Sequence, residues 1–245
     1  MNGGSLPIGT DGPVGGPLER IASGNARHCF AHPWDRSLCI KVAYTATGAR
    51  ASEREARYFE RVERRYGAEA FATHAARHRG RVATSAGPGH VWERVCHAPG
   101  AAAGPSPFAP VLLEAFDERA YAAAPEAWER AFEAFARWTR ATPLAVRDLT
   151  PVNLCVRRLA GEALELVAVD GLLPSSALAR WWPTRAQARR RNPVYAARRG
   201  MADARAALDT CAALRERRIA AGGLDRPPGG DGESPEVRLL GPGGP

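Results

Sequence analysis

Apolar and polar positions alternate in short runs over the first hundred or so residues and recur at helical spacing over much of the remaining chain. "LERIA" and "RHCFAH" lead through the turn "HPWDRS" into "LCIKVAY", which predicts three short strands joined by tight turns. Successive strand side chains point to opposite faces. Leu38, Ile40 and Val42 therefore share one face, and Cys39, Lys41 and Ala43 share the other. "ASEREARYFERVERRYG" places Glu55, Tyr58, Phe59 and Val62 at i, i+3, i+4 and i+7, which predicts a helix over 51–67 ending at Gly67. "RVATS" and "HVWERVC" predict two strands around a Gly-Pro turn. Two helices come next, at about 110–122 and 125–141, the second carrying Trp128, Phe132, Phe135 and Trp138 as a buried stripe. "LCVRRL", Gly161 and "LELVAVDGLL" form a predicted hairpin. Beyond it the pattern is helical and basic, with a break near Pro193.

Composition narrows the class. A chain of 245 residues with 45% apolar content suits one domain or one bilobal domain. No run of eighteen apolar residues exists, so no membrane span is expected, and the first residues lack the pattern of a signal peptide. Residues 1–17 and 219–245 are rich in Gly and Pro and are expected to be disordered tails. The five cysteines, Cys29, Cys39, Cys96, Cys155 and Cys211, form no CxxC pair, which fits free, mostly buried thiols in a reducing cytoplasm. The histidines are too scattered to suggest a metal cluster. A net charge of +8 and a pI near 9.8 favour polyanionic partners, although the Ala/Arg/Gly/Pro-rich composition throughout is an equal explanation.

The chemistry sits at four places in order. Phosphoryl transfer needs a lysine on the nucleotide phosphates, a helix glutamate to fix it, an aspartate to take the acceptor's proton, and two oxygen ligands for magnesium. Lys41 lies in "CIKV" and Glu55 on the next helix. "RDLTPVN" gives Asp148 and Asn153 in D-x4-N spacing, and "VAVDG" gives Asp170 at a strand end before Gly171. The expected roles are Asp148 as base, Asn153 and Asp170 as Mg²⁺ ligands, Lys41 on the ATP phosphates, and Glu55 orienting Lys41, with Glu53 as the other candidate partner. A lysine in an apolar strand is costly to bury alone, which is why a partner is sought. Two parts are irregular. The phosphate loop is "ASGNARHCF", where the backbone of Ser23, Gly24 and Asn25 is the candidate phosphate contact and Gly24 is the one glycine. Thr150 stands where a catalytic-loop lysine is often found.

"LERIASGNARHCFAHPWDRSLCIKV", "EREARYFERV", "RDLTPVNLCV" and "VAVDGL" resemble the PhoP regulatory network protein (YrbL-like) family, with "SGNARHCFAHP" the most specific stretch. "LARWWPTRAQARRR" is similar to the family's C-terminal segment. The resemblance covers about residues 18 to 191. It implies a small bilobal protein-kinase-like α+β fold with an antiparallel N-lobe sheet and one helix, here 18–97, and a mainly helical C-lobe, here 98–218. It also implies ATP binding, bacterial origin and a cytoplasmic location.

Three functions remain open on the sequence. One is an ATP-dependent transfer to a hydroxyl acceptor, with a small molecule or sugar favoured because no A-P-E motif or long activation segment comes after Asp170. The second is a nucleotide-binding pseudokinase or regulatory scaffold, favoured by the thin phosphate loop and Thr150. The third is a nucleic-acid or membrane-surface binder using Arg180–Arg199 with Trp181 and Trp182 against an anionic partner.

Overall fold

A computed structural model describes residues 16–24, 26–68, 73–101, 106–174, 185–221 and 236–240. They divide into two compact units, the first drawn from Met1–Ala56, Arg77–Arg94 and Asp225–Pro245, the second from Arg57–Ala76 and Val95–Leu224. The architecture is α+β, as expected.

The first unit is a five-stranded antiparallel sheet. Its strands are β1 (Arg20–Ser23), β2 (Arg27–Ala31), β3 (Leu38–Ala43), β4 (His78–Thr84) and β5 (Gly87–Glu93), in the order β1-β2-β3-β5-β4. Helix α1 (Ala46–Tyr66) comes directly after β3. It begins five residues before the sequence predicts, because the Thr45 hydroxyl accepts the Gly48 N–H and caps the first turn. One face of the sheet buries Phe30, Ile40, Val42 and Val91. The alternation read in "LCIKVAY" therefore holds.

The same cluster contains Val237 and Leu239. Residues 236–240 fall in the stretch expected to be a disordered tail, yet they pack in the first unit. The Val237 carbonyl accepts the Leu18 N–H at 2.7 Å, ahead of β1. The Arg238 carbonyl accepts the Ser85 N–H at 2.8 Å, and the Leu240 N–H reaches the Ala83 carbonyl at 3.0 Å. The segment thus bonds the chain just ahead of β1 and covers the end of β4, an outer strand whose edge groups there would otherwise be unpaired.

The second unit is mainly helical. It holds α2 (Leu112–Ala115), α3 (Glu118–Ala123), α4 (Pro125–Ala141), the hairpin β6 (Leu154–Arg158) and β7 (Leu164–Ala168), then α5 (Arg185–Arg198) and α6 (Ala204–Ala220). The predicted 110–122 helix is two short helices, separated where the Asp117 carboxylate caps α3 by accepting the Ala120 N–H. The Trp128, Phe132, Phe135 and Trp138 stripe is buried as expected. Pro193 does not break the basic segment: α5 runs through it and stops at Gly200 instead. The reason lies one residue earlier. Asn192 is fully buried and donates to the carbonyls of Thr139 and Leu144 at 2.7 and 2.8 Å, while its Oδ1 accepts the Val146 N–H at 3.0 Å. Three such bonds in a buried setting hold the helix against the loss of one backbone donor at proline. None of the five cysteines forms a disulfide. No helix among the described residues is long and apolar enough to cross a membrane.

Candidate functional site

In the first unit, Lys41 lies on β3 opposite Cys29 of β2 and His90 of β5. It sits on the face away from the Ile40–Val42 core. Its ammonium stands 5.0 Å from the centre of the Trp92 ring, a cation–π contact. Cys29 and Cys39 lie on the same face, and their thiols hydrogen-bond each other. That bond, with Lys41, Arg94 and Arg27 nearby, draws the Cys29 thiol below its usual range, and the same bond together with burial pushes Cys39 above it.

Glu55 is buried, and its Oε2 accepts from Arg27 Nη1 at 2.8 Å. The same guanidinium nitrogen donates to the Ser52 hydroxyl at 3.3 Å. Glu53 is turned toward the sheet instead, where both carboxylate oxygens accept from Arg81 at 3.1 and 3.2 Å. The two glutamates the sequence left in competition are thus placed differently: Glu55 is buried and held by a strand arginine, and Glu53 is at the surface. Arg27 is a site residue that sequence reasoning missed. Its signal was its place inside "SGNARHC", directly after the candidate phosphate loop.

The candidate phosphate loop is fixed by its own side of the unit. Gly24 donates its N–H to the Arg27 carbonyl at 2.9 Å, and its carbonyl accepts from the Tyr44 hydroxyl at 2.7 Å. The Ser23 hydroxyl is hydrogen-bonded to His28 Nδ1 at 3.0 Å. The His28 ring lies 4.6 Å from that of Tyr44. The Gly24 N–H, a candidate phosphate donor on the sequence, is therefore committed inside the turn. Asn25 lies outside the described residues.

In the second unit the three remaining candidates converge. The Gly171 carbonyl accepts the N–H groups of Arg147 and Asp148 at 3.0 and 3.1 Å. The Asn153 carbonyl accepts the Val169 N–H at 2.9 Å, continuing the β6–β7 ladder that pairs Leu154 with Ala168. The Asn153 amide donates to the Asp148 carbonyl at 2.8 Å, and Asp170 Oδ1 accepts the Gly171 N–H at 2.7 Å. Gly171 has φ +78°, and a Cβ there would lie 2.4 Å from the Asp148 carbonyl oxygen, so only glycine admits this approach. Asp148, Asn153 and Asp170 are consequently locked into one small cluster by backbone bonds.

The approach to that loop is also fixed. The Tyr58 hydroxyl accepts the Ala145 N–H at 2.8 Å and donates to the Pro143 carbonyl at 3.4 Å. Burial raises the Tyr58 phenol far above its usual range, so it stays a donor.

No group of three or more His, Cys, Asp or Glu suited to a metal occurs among the described residues. Asn153 and Asp170 nonetheless fit a hard divalent cation that completes its shell with phosphate and water oxygens. With the Asn153 nitrogen spent on the Asp148 carbonyl, the amide oxygen is the atom left to face a cation. Of the basic stretch, Arg180, Trp181 and Trp182 lie outside the described residues. Arg199 does not: its Nη2 stands 2.8 Å from Asp148 Oδ1.

The model of the PhoP regulatory network protein YrbL family matches residues 18–198. The chain belongs to that family. No curated protein matches its sequence. Among solved structures, this YrbL-family chain is similar to a kinase domain at 12% identity and a TM-score of 0.40, over 63% of this chain and 49% of that one. It is similar to a Mycobacterium tuberculosis PknI kinase domain at 12% identity and 0.39, over 70% and 66% of the two chains. It is also similar to APH(2")-IIia in its GDP and kanamycin complex, at 11% identity and 0.33, over 86% and 89%. The chain therefore spans about half the length of the first of these and about two thirds of the second.

Proposed function

We propose that this chain is a magnesium-dependent phosphotransferase that moves the γ-phosphoryl group of ATP to a hydroxyl of a small molecule or sugar. The observation that supports it most is the locked cluster of Asp148, Asn153 and Asp170 in the second unit. A plain turn into a hairpin requires none of these three side chains, whereas transfer requires a base and two oxygen ligands in close company. Asp148 is the proton acceptor. The Asn153 amide oxygen and the Asp170 carboxylate are the cation ligands. Lys41 holds the nucleotide phosphates, and Glu55, fixed by Arg27, is the carboxylate that positions it. Bound magnesium would offset the negative charge on the phosphate oxygens.

The reading is tested by ADP release under Mg-ATP, with water or members of a sugar panel as acceptor, for wild type and Asp148→Asn. ATP affinity should be kept while turnover falls by about a hundredfold or more. Equal turnover in the two proteins would remove Asp148 from the mechanism.

A second reading, nucleotide binding without transfer, is favoured by the committed Gly24 N–H and by Thr150. It predicts ATP binding with no ADP release under any acceptor.

A further inference from the structure

The loop that carries Asp148 has no lysine after it; Thr150 stands there, and a hydroxyl brings no charge. The neighbouring Arg147 side chain is exposed, and its backbone N–H is bonded to Gly171. A cation nevertheless reaches the site, from the basic segment near the end of the chain. Arg199 closes α5. The Met201 N–H bonds the Ala196 carbonyl at 2.8 Å and the Gly200 N–H bonds the Ala197 carbonyl at 3.1 Å, the two bonds of a Schellman cap. Gly200 takes φ +66°, and a Cβ on it would strike the Thr210 hydroxyl of α6 at 1.9 Å. The helix end is thus fixed in both direction and depth. Two turns earlier, Asn192 ties α5 to the backbone of Leu144 and Val146, the segment that enters the Asp148 loop. The helix that brings Arg199 and the loop that presents Asp148 are therefore fastened to each other.

The contact itself is unusual for a surface pair. Both side chains are about half exposed, at 51% and 48%. Asp148 Oδ1, however, is shut off from solvent and makes no hydrogen bond of good geometry. Arg199 Nη2 faces it at 2.8 Å as a charge pair, off the line of an aligned hydrogen bond. The exposure of Asp148 therefore belongs to the rest of its carboxyl group, open to an incoming hydroxyl. A guanidinium offers five donors in a planar fork, enough to hold a carboxylate oxygen and phosphoryl oxygens together.

We infer that Arg199 supplies the positive charge that the catalytic loop lacks at Thr150, positioning Asp148 through Oδ1 and facing the transferred phosphoryl group. The inference rests on the phosphotransferase reading. In the step it serves, the acceptor oxygen forms a bond to the γ-phosphorus. The bond from that phosphorus to the β–γ bridging oxygen breaks, ADP leaves with the electron pair, and the acceptor's proton passes to Asp148. Arg199 offsets charge on the phosphoryl oxygens without itself gaining or losing a proton.

The test uses the full chain with Mg-ATP and water as acceptor, following ADP release, for wild type, Arg199→Gln, Arg199→Lys and Arg198→Gln. Exposed ion pairs contribute little to stability, so melting temperatures should agree across the set. Arg199→Gln should lower kcat about tenfold to a hundredfold with KM for ATP within about twofold, since the lost interaction is made in the transition state. Arg199→Lys should restore part of kcat, and Arg198→Gln, the exposed neighbour, should match wild type. Unchanged kcat in Arg199→Gln beside an active wild type overturns the inference and leaves the phosphotransferase reading standing. A wild type that binds Mg-ATP and releases no ADP overturns both.

Discussion

In the second unit the candidate residues are placed by the backbone. Asp148, Asn153 and Asp170 take their positions from N–H to carbonyl bonds between residues 147–153 and 169–171, with Gly171 allowing the approach. In the first unit they are placed by side chains. Glu55 takes its position from Arg27, itself held by the Ser52 hydroxyl, and Lys41 lies beside Trp92. A backbone-built cluster tolerates changes of side chain without collapse, because the bonds that shape it remain. A side-chain-built pair fails when either partner is removed. The two halves should therefore separate function from stability in opposite ways.

The largest effect expected is functional and falls in the second unit. Asp148→Asn should lower turnover by about a hundredfold to ten-thousandfold while leaving the melting temperature close to wild type. A matching fall in stability would show that the loop depends on the carboxylate and not on its backbone.

Next comes Arg27→Gln in the first unit. It leaves the buried Glu55 carboxylate, 6% exposed, without its arginine, and breaking such a pair costs about 3–5 kcal/mol. Chemical denaturation should show it. The double variant Arg27→Gln, Glu55→Gln should recover a large part of the loss, because the carboxylate that lost its arginine is then neutral.

Deleting residues 236–245 should cost about 3 kcal/mol or more, since Val237 and Leu239 leave the core and the end of β4 loses its cover. The cleanest readout is hydrogen exchange at the Ser85 and Leu18 N–H groups, which should rise while exchange along α4 does not. Uniform loss of protection would contradict the division into units.

The smallest effect is that of pH. His32 is buried with neither ring nitrogen hydrogen-bonded, and desolvation holds its pKa below the usual value near 6.5, with Asp35 opposing weakly. A lowered histidine pKa means that the unfolded chain binds the proton first. Stability is therefore full above about pH 6.5 and falls as pH drops toward the folded pKa, by at most about 1.4 kcal/mol per pH unit. Melting curves from pH 7.5 to 5 should show that slope, and His32→Phe should reduce it, leaving the smaller part due to His28 and His97, which burial also lowers.

The same division governs how much was legible in the sequence. The D-x4-N spacing and the Asp170–Gly171 pair are local patterns whose meaning depends on a few neighbouring backbone bonds, and the loop forms around them as read. The strand alternation around Lys41 was equally local. The Arg27–Glu55 and Arg199–Asp148 contacts join residues far apart in the chain, and no spacing rule marks either pair. The break expected at Pro193 failed for a related reason: the buried amide of Asn192 outweighs a local helix-breaking signal. Residues 236–240 were hidden by the Gly- and Pro-rich sequence around them. Yet Val237 and Leu239 already show the two-residue period of a strand with one buried face.

The most direct test of the central claim is calorimetric titration of ATP into wild type and Asp170→Ala, each with and without Mg²⁺. The account predicts magnesium-dependent binding in wild type that weakens at least tenfold in Asp170→Ala, with both proteins melting at similar temperatures in the absence of nucleotide. Binding that is equal in the two proteins, or absent from wild type, would contradict it.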